Sequence, residues 1–247
     1  KEQLGDQLQV SPMLCTYYYE FNTVKPPFND ARVRRALALA LDRDTINNKV
    51  IGQGQTPAYQ LTPVATNGMK NNTPEWQSWD QAKRVEEAKK LLKEAGYSES
   101  KPLKFELLYN TSDNHKKIAV AASSLWKQSL GFVDVSLINK EWKTYLDTRR
   151  NGNYQVARAG WCGDYNEPST FLNIVKTGNS NNQGKYSSAK FDSLMTQTLK
   201  AGVTPEQRAA LYQQAEAQLD IDMPNVNVYH YVSPRLIKPY VVGFSTK

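Results

Sequence analysis

Histidine and cysteine, on which most metal sites and many nucleophilic centres depend, are scarce: two of each in 247 residues. His115 and His230 lie far apart, and neither stands at a ligand spacing from a cysteine or a carboxylate, so neither a metal nor a cofactor is expected. The patterns G-x-S-x-G, C-x-x-C, H-E-x-x-H and the phosphate-binding P-loop are all missing. Gly52-Gln53-Gly54 does not continue to the third glycine of a dinucleotide fingerprint. No apolar run approaches the roughly 18 residues that a membrane-spanning helix needs. The opening KEQLGDQLQV is too polar for an export signal.

A run of like charge is also lacking. Lys+Arg number 31 and Asp+Glu 24, a net charge of +7. The densest basic groups, at Arg32, Arg34 and Arg35, at Lys89, Lys90 and Lys93, and at Lys116 and Lys117, are interleaved with acids or an apolar stripe. They read as solvated helix faces, not as a nucleic-acid surface. Disorder is excluded by 14 Tyr, 7 Phe and 5 Trp, enough aromatic surface to build a core. Cys15 and Cys162 leave two readings open: a bridge closing a very long loop, worth about 5 kcal/mol on the chain-entropy model, or two separate buried thiols.

Periodicity gives the class as α/β. Residues 14–21 read as a buried strand. Val33, Ala36, Leu37, Ala40 and Leu41 make an apolar helical stripe behind a cap at Asn29 or Asp30. A short helix capped by Asp42 or Asp44 runs to Val50, and the glycine- and proline-punctuated residues 52–78 read as a long surface loop. The spacing then predicts a helix over 80–95 ending at Gly96, a strand over 103–109, a helix over 113–128 and a strand over 132–138. That β-α-β unit has a crossover long enough for parallel pairing. A helix over 142–149 and a strand over 154–159 follow. Helices are expected over 168–175 and 189–200, and over 205–220 behind the Thr204-Pro205-Glu206-Gln207 capping box. A strand over 225–232 closes the pattern.

The stretch from Arg158 to Pro168 sets a guanidinium, an indole, two carboxylates and two glycines between a strand and a helix, where α/β sheets present ligands. Asp164 suits a cationic group and Arg158 a carboxylate, which together fit a zwitterion such as a peptide. Two plainer readings stand beside it: Asp164 capping a turn with Arg158 as its ion pair, or Asp164 and Glu167 as the paired carboxylates of a hydrolase. His115, near a helix start, reads as a cap or surface residue sooner than a base.

The segments CTYYYEFN, KPPFNDARVRRALALALDRD, LLYNTSDNHKKIA, NKEWKTYLDTR, RAGWCGDYNEPSTFLN and VYHYVSPRLIKPY together resemble the periplasmic oligopeptide-binding proteins of ABC importers, extracellular solute-binding family 5. The resemblance covers nearly the whole chain. It implies a periplasmic-binding-protein type II lobe, a mixed sheet flanked by helices. Members are roughly twice this length and two-lobed, so residues 1–247 look like the C-terminal lobe, with 1–13 and 234–247 as hinge or inter-lobe segments. The signal peptide and the other lobe would belong to a longer parent. The implied function is capture of short peptides in the periplasm by a monomeric, non-enzymatic protein and their delivery to the membrane subunits of an ABC permease.

Position by position, the resemblance implies that Cys15 and Cys162 form the family's disulfide. Asp164 matches the aspartate that takes the peptide's α-ammonium, and the main chain of Gly160, Trp161 and Cys162 matches the strand along which the ligand lies. Arg158 and His115 match residues that meet the ligand carboxylate at different peptide lengths. Tyr18, Glu20, Asn110, Trp142, Arg149, Trp161 and Tyr231 match pocket walls. One position departs: Ile51 stands where enteric members carry a lysine. That stretch looks closer to the murein-tripeptide-binding paralogue, which lacks the cysteines.

Overall fold

The structure, a computed structural model, describes residues 5–243. Chain order begins with β1 (Leu8–Phe21), α1 (Ala31–Ala40), α2 (Arg43–Thr45), β2 (Thr56–Pro57), α3 (Gln81–Glu94), β3 (Leu103–Asn110) and α4 (Asp113–Leu130). It continues with β4 (Val133–Lys140), α5 (Trp142–Arg150), β5 (Val156–Cys162), α6 (Ser169–Leu172), α7 (Ala189–Gln197), α8 (Pro205–Asp222) and β6 (Asn225–Leu236). Among the described residues these strands form one mixed sheet in the order β2-β6-β1-β5-β3-β4. β3 and β4 pair in parallel across the α4 crossover, while β1 runs antiparallel to both β5 and β6.

Alternation along the sheet separates two cores. Tyr17, Tyr19 and Phe21 of β1 pack with Val33, Leu37, Leu92 and Trp126 from α1, α3 and α4. Tyr18 and Ala159 face the other way, toward Phe171, Phe191, Tyr212 and Leu219 from α6, α7 and α8. Leu108, Tyr145, Tyr154 and Ala157 form a smaller cluster beneath α5.

Several bounds differ from expectation. β5 is displaced towards the site, to Val156–Cys162 instead of 154–159. Pairing with β1 carries the extended backbone through Gly160 to Cys162, three residues past the end that periodicity gave. β1 begins at Leu8 and β6 ends at Leu236 because these ends pair with each other, Leu8 opposite Leu236 and Ser11 opposite Ser233. Of the segments expected to reach another lobe, residues 1–4 and 244–247 lie outside the described residues. The short helix is capped by Asp42 and unwinds into a π-turn over Ile46–Ile51, which stops at left-handed Gly52 (φ 65°). The helix expected over 168–175 is one α-turn followed by a 3-10 turn.

The loop over 52–78 is pinned by buried polar groups. Glu216 of α8 accepts the Thr62 N–H at 2.8 Å and the Leu61 N–H at 3.2 Å. Arg43 donates to the Ala38, Ala58 and Asn227 carbonyls at 2.8, 2.9 and 2.7 Å, with its guanidinium 5.1 Å from the Tyr59 and Trp76 ring centres. Burial pushes its pKa down to about 10.

His230 is equally enclosed, at 6% exposure. Thr16 gives its proton to the Leu61 carbonyl at 2.7 Å, so the His230 Nδ1–H donates to the Thr16 oxygen at 2.9 Å. Burial pushes the imidazole down to about 4, below the roughly 6.5 of an unfolded histidine. The unfolded chain therefore binds the proton first as pH falls. Stability holds above pH ~6.5 and declines towards pH 4, by about 3 kcal/mol from this residue. Urea denaturation at pH 7 and 4.5 checks this: His230→Asn flattens the slope, and equal slopes in both proteins would refute it.

Candidate functional site

Two hydrogen bonds set which way the main chain of β5 points. Asn22 N–H donates to the Gln155 carbonyl at 2.9 Å, and Gly163 N–H donates to the Leu14 carbonyl at 2.8 Å. With the unbroken register between, the odd-numbered residues of β5 bond to β1 and the even-numbered ones, Val156, Arg158, Gly160 and Cys162, point outward. β3 covers that outer edge opposite Val156 and Ala157 and pairs no further. Gly160 and Cys162 are exposed beyond it. Among the described residues the result is a free strand edge, able to accept another extended backbone.

Cys15 stands opposite Cys162 in a pair without main-chain bonds, and the two sulfurs are joined. Just past them the chain turns sharply. Thr170, 4% exposed, accepts the Asp164 N–H at 2.9 Å through its hydroxyl and the Trp161 indole N–H at 2.7 Å through its carbonyl. Gly163 sits in a tight place: a Cβ would come within 3.0 Å of the Thr170 side chain and 3.1 Å of the Phe171 ring, so both would have to give way. The Asp164 side chain is exposed and has no ion-pair partner among the described residues. The expected alternative of an Asp164–Arg158 pair is thus not what forms. Glu167 is tied within the same turn, its Oε2 accepting the Ser169 N–H at 3.0 Å and the Ser169 hydroxyl.

Arg158 lies on the α4 side of the sheet. Its guanidinium sits 4.8 Å over the Tyr17 ring and donates to Asn110 Oδ1 at 3.5 Å and the Tyr231 hydroxyl at 3.4 Å, while its Nε has no partner. Burial pulls its pKa down, yet the Tyr17 and Tyr231 hydroxyls outweigh that and hold it above its ordinary value. His115 meets the same cluster, with Nδ1 3.1 Å from the Tyr17 hydroxyl. Burial first, and the Arg158 charge second, push it down to about 4. At neutral pH the imidazole offers an anion a hydrogen bond, and Arg158 supplies the charge.

Glu20 lies on the opposite face with Tyr18. Its Oε1 accepts Arg149 Nη2 at 3.0 Å and the Tyr154 hydroxyl at 2.7 Å. Burial pulls Arg149 down, but the Glu20 carboxylate and the surrounding tyrosines hold it above its ordinary value. Trp142, 53% exposed, stacks on Tyr145 at 5.5 Å. Ile51 is half-buried and packs against the main core. The predicted residues thus fall into three groups around one edge: Asp164, Trp161 and the disulfide at its end; Arg158, His115, Asn110 and Tyr231 on one face; Tyr18, Glu20, Arg149 and Trp142 on the other. Tyr17 joins them from the buried strand over 14–21, and Tyr145, Tyr154 and Thr170, which were not singled out from sequence, complete them. The spacing of Trp142, Tyr145 and Arg149 on one helix was the available signal for Tyr145.

The description "Bacterial extracellular solute-binding proteins, family 5 Middle" matches residues 1–183. This chain belongs to that family. It is 59% identical over 248 residues to the periplasmic oligopeptide-binding protein OppA of Escherichia coli, covering 100% of this chain and 45% of that protein. The structure of Haemophilus influenzae OppA in complex with RPPGFSPFR superposes with a TM-score of 0.89 at 47% identity, covering 99% of this chain and 48% of that one. The Escherichia coli murein tripeptide binding protein MppA superposes at 0.90 with 44% identity, over 97% of this chain and 47% of that one. The chain spans less than half the length of these relatives, and its fold is a periplasmic-binding-protein type II lobe of this family 5 protein.

Removing one member of a buried pair leaves the other charge uncompensated, at roughly 3–5 kcal/mol. In this family 5 lobe, where Glu20 and Arg149 are 7% and 15% exposed, Glu20→Ala should destabilise by about that amount. Adding Arg149→Met should restore most of it. Urea denaturation of the single and double variants checks this; a single variant within about 1 kcal/mol of wild type would exclude an energetically coupled pair.

Proposed function

We propose that this chain is the C-terminal lobe of a two-lobed, non-catalytic peptide-binding component of an ABC importer. It captures short peptides in the periplasm as a monomer and passes them to the membrane permease. The observation that carries the reading is an unpaired, exposed carboxylate set at the open end of a free strand edge. A peptide laid along that edge offers backbone groups to Gly160 and Cys162, its α-ammonium to Asp164, and its carboxylate to Arg158 and the His115 N–H. Because the edge lies between the two sheet faces, alternate ligand side chains turn towards the Tyr231 side and the Trp142 side. Backbone and terminal recognition of this kind tolerates varied side chains, with water filling the slack around them.

The paired ends of β1 and β6 support a chain that enters and leaves the lobe at one place, as inter-lobe segments at 1–13 and 234–247 require. Closure of a second lobe over the edge would bury the ligand, and the permease would recognise the closed form. A periplasmic setting accords with the disulfide. No helix among the described residues is long and apolar enough to cross a membrane.

The likeness to MppA favours a second reading, a murein peptide as ligand, which competition between murein tripeptide and ordinary tripeptides separates from the first. A hydrolase using Asp164 and Glu167 is disfavoured by the ties of Glu167 to Ser169. Unchanged peptide after long incubation would remove it. Asp164→Ala in the full-length protein should weaken peptide binding by about 2–5 kcal/mol, the usual loss when a buried charge pair is broken. Equal affinity of variant and wild type by calorimetry would take Asp164 out of the site.

A further inference from the structure

One outward group of β5 past the reach of β3 is already occupied. The Arg158 carbonyl accepts the Tyr145 hydroxyl. Tyr145 is 1% exposed, and its place is held from several sides. Its ring stacks on Trp142 with an interplanar angle of 26°. The Arg149 guanidinium lies 5.5 Å over that ring and donates to the Tyr145 oxygen at 3.4 Å. Glu20 holds Arg149 in turn. The hydroxyl therefore gives its one proton to Arg158 and takes one from Arg149, which fixes its direction.

We infer that Tyr145 is a positioning residue that ends strand addition along β5: it seals the Arg158 carbonyl, so an added backbone finds ladder groups at Cys162 and Gly160 and none nearer β3. The inference rests on the reading that a peptide adds to this edge. Its consequence is a fixed register. A strand can slip by two residues without exchanging its faces, and the slip open to a ligand on Gly160 is the one onto Arg158. Tyr145 closes that slip. The ligand's amino end stays opposite the Asp164 turn, and its carboxyl-terminal residues run on without ladder bonds.

The test is a backbone N-methyl scan. Penta-alanine peptides carrying one N-methyl group each are titrated by calorimetry into full-length wild type and the Tyr145→Phe variant, whose ring can still stack on Trp142. In wild type, a loss of about fivefold or more, the size of one hydrogen bond, should be confined to nitrogens in the amino-terminal part. In Tyr145→Phe a further nitrogen towards the carboxyl end should become sensitive. Identical profiles in two proteins of equal melting temperature would overturn the inference. If the variant does not fold, the wild-type scan decides alone: sensitivity at the carboxyl end overturns the inference and its absence there supports it. Insensitivity at every nitrogen of wild type would instead remove the strand-addition reading, and the inference with it.

Discussion

The pairing of β1 with β5 runs from Cys15 opposite Cys162 to Phe21 opposite Val156 without a break. Side chains alternate along both strands, so a slip by one residue would send Arg158 to the face of Glu20 and turn the Gly160 main chain inward. Where each group around the edge points follows from that register. The disulfide crosses the same pair of strands at the end next to Asp164, so covalent and hydrogen-bonded constraints agree on a single alignment. Two buried aromatic clusters on opposite faces enforce it again, since the tyrosines of β1 are divided between them.

Three guanidiniums show how differently this lobe treats a positive charge out of water. Arg43 is surrounded by carbonyl oxygens and two rings and needs no carboxylate. Arg149 is neutralised by Glu20. Arg158 has neither arrangement: an amide oxygen and a hydroxyl at long range, a ring beneath it, and an Nε with no acceptor. A buried donor left unsatisfied is costly, and such positions persist where an acceptor can arrive from outside. The mirror case is Asp164, a carboxylate without a cation at the other end of the same edge. These two unmet charges, at opposite ends of one edge, are what the proposed peptide-binding reading draws on.

Much of the fold was legible because it is local. Helix α8 announced itself by the Thr204 capping box, which forms as expected, and the β3-α4-β4 unit by alternation followed by a helical stripe. The strand ends were less legible, since pairing partners far away in sequence decide them. The expected strand over 154–159 stops short of Gly160 until β1 is placed beside it, and no strand is expected over Leu8–Met13 until β6 is. At the site, the stretch from Arg158 to Pro168 drew attention by its chemistry alone, whereas Glu20 and Arg149 entered only through the family resemblance, as did the ligand-facing role of His115, which by position alone reads as a cap or surface residue. No spacing rule links Glu20 to Arg149 or Tyr17 to His115, which the sheet brings together from distant parts of the chain. Buried Arg43 and Glu216 left no trace in the sequence, because a charged residue held by backbone groups looks like any surface charge.

The sulfur–sulfur link encloses residues 15–162 in a covalent ring. The long segment over 52–78 lies inside that ring, as do β3, α4, β4 and α5. A protease that cut the backbone once anywhere within it would yield a nicked molecule and no released fragment. Both pieces would migrate as one species until a reductant was added, whereas a cut after Cys162, in the stretch that carries α7, α8 and β6, has no such covalent tie to hold its products together.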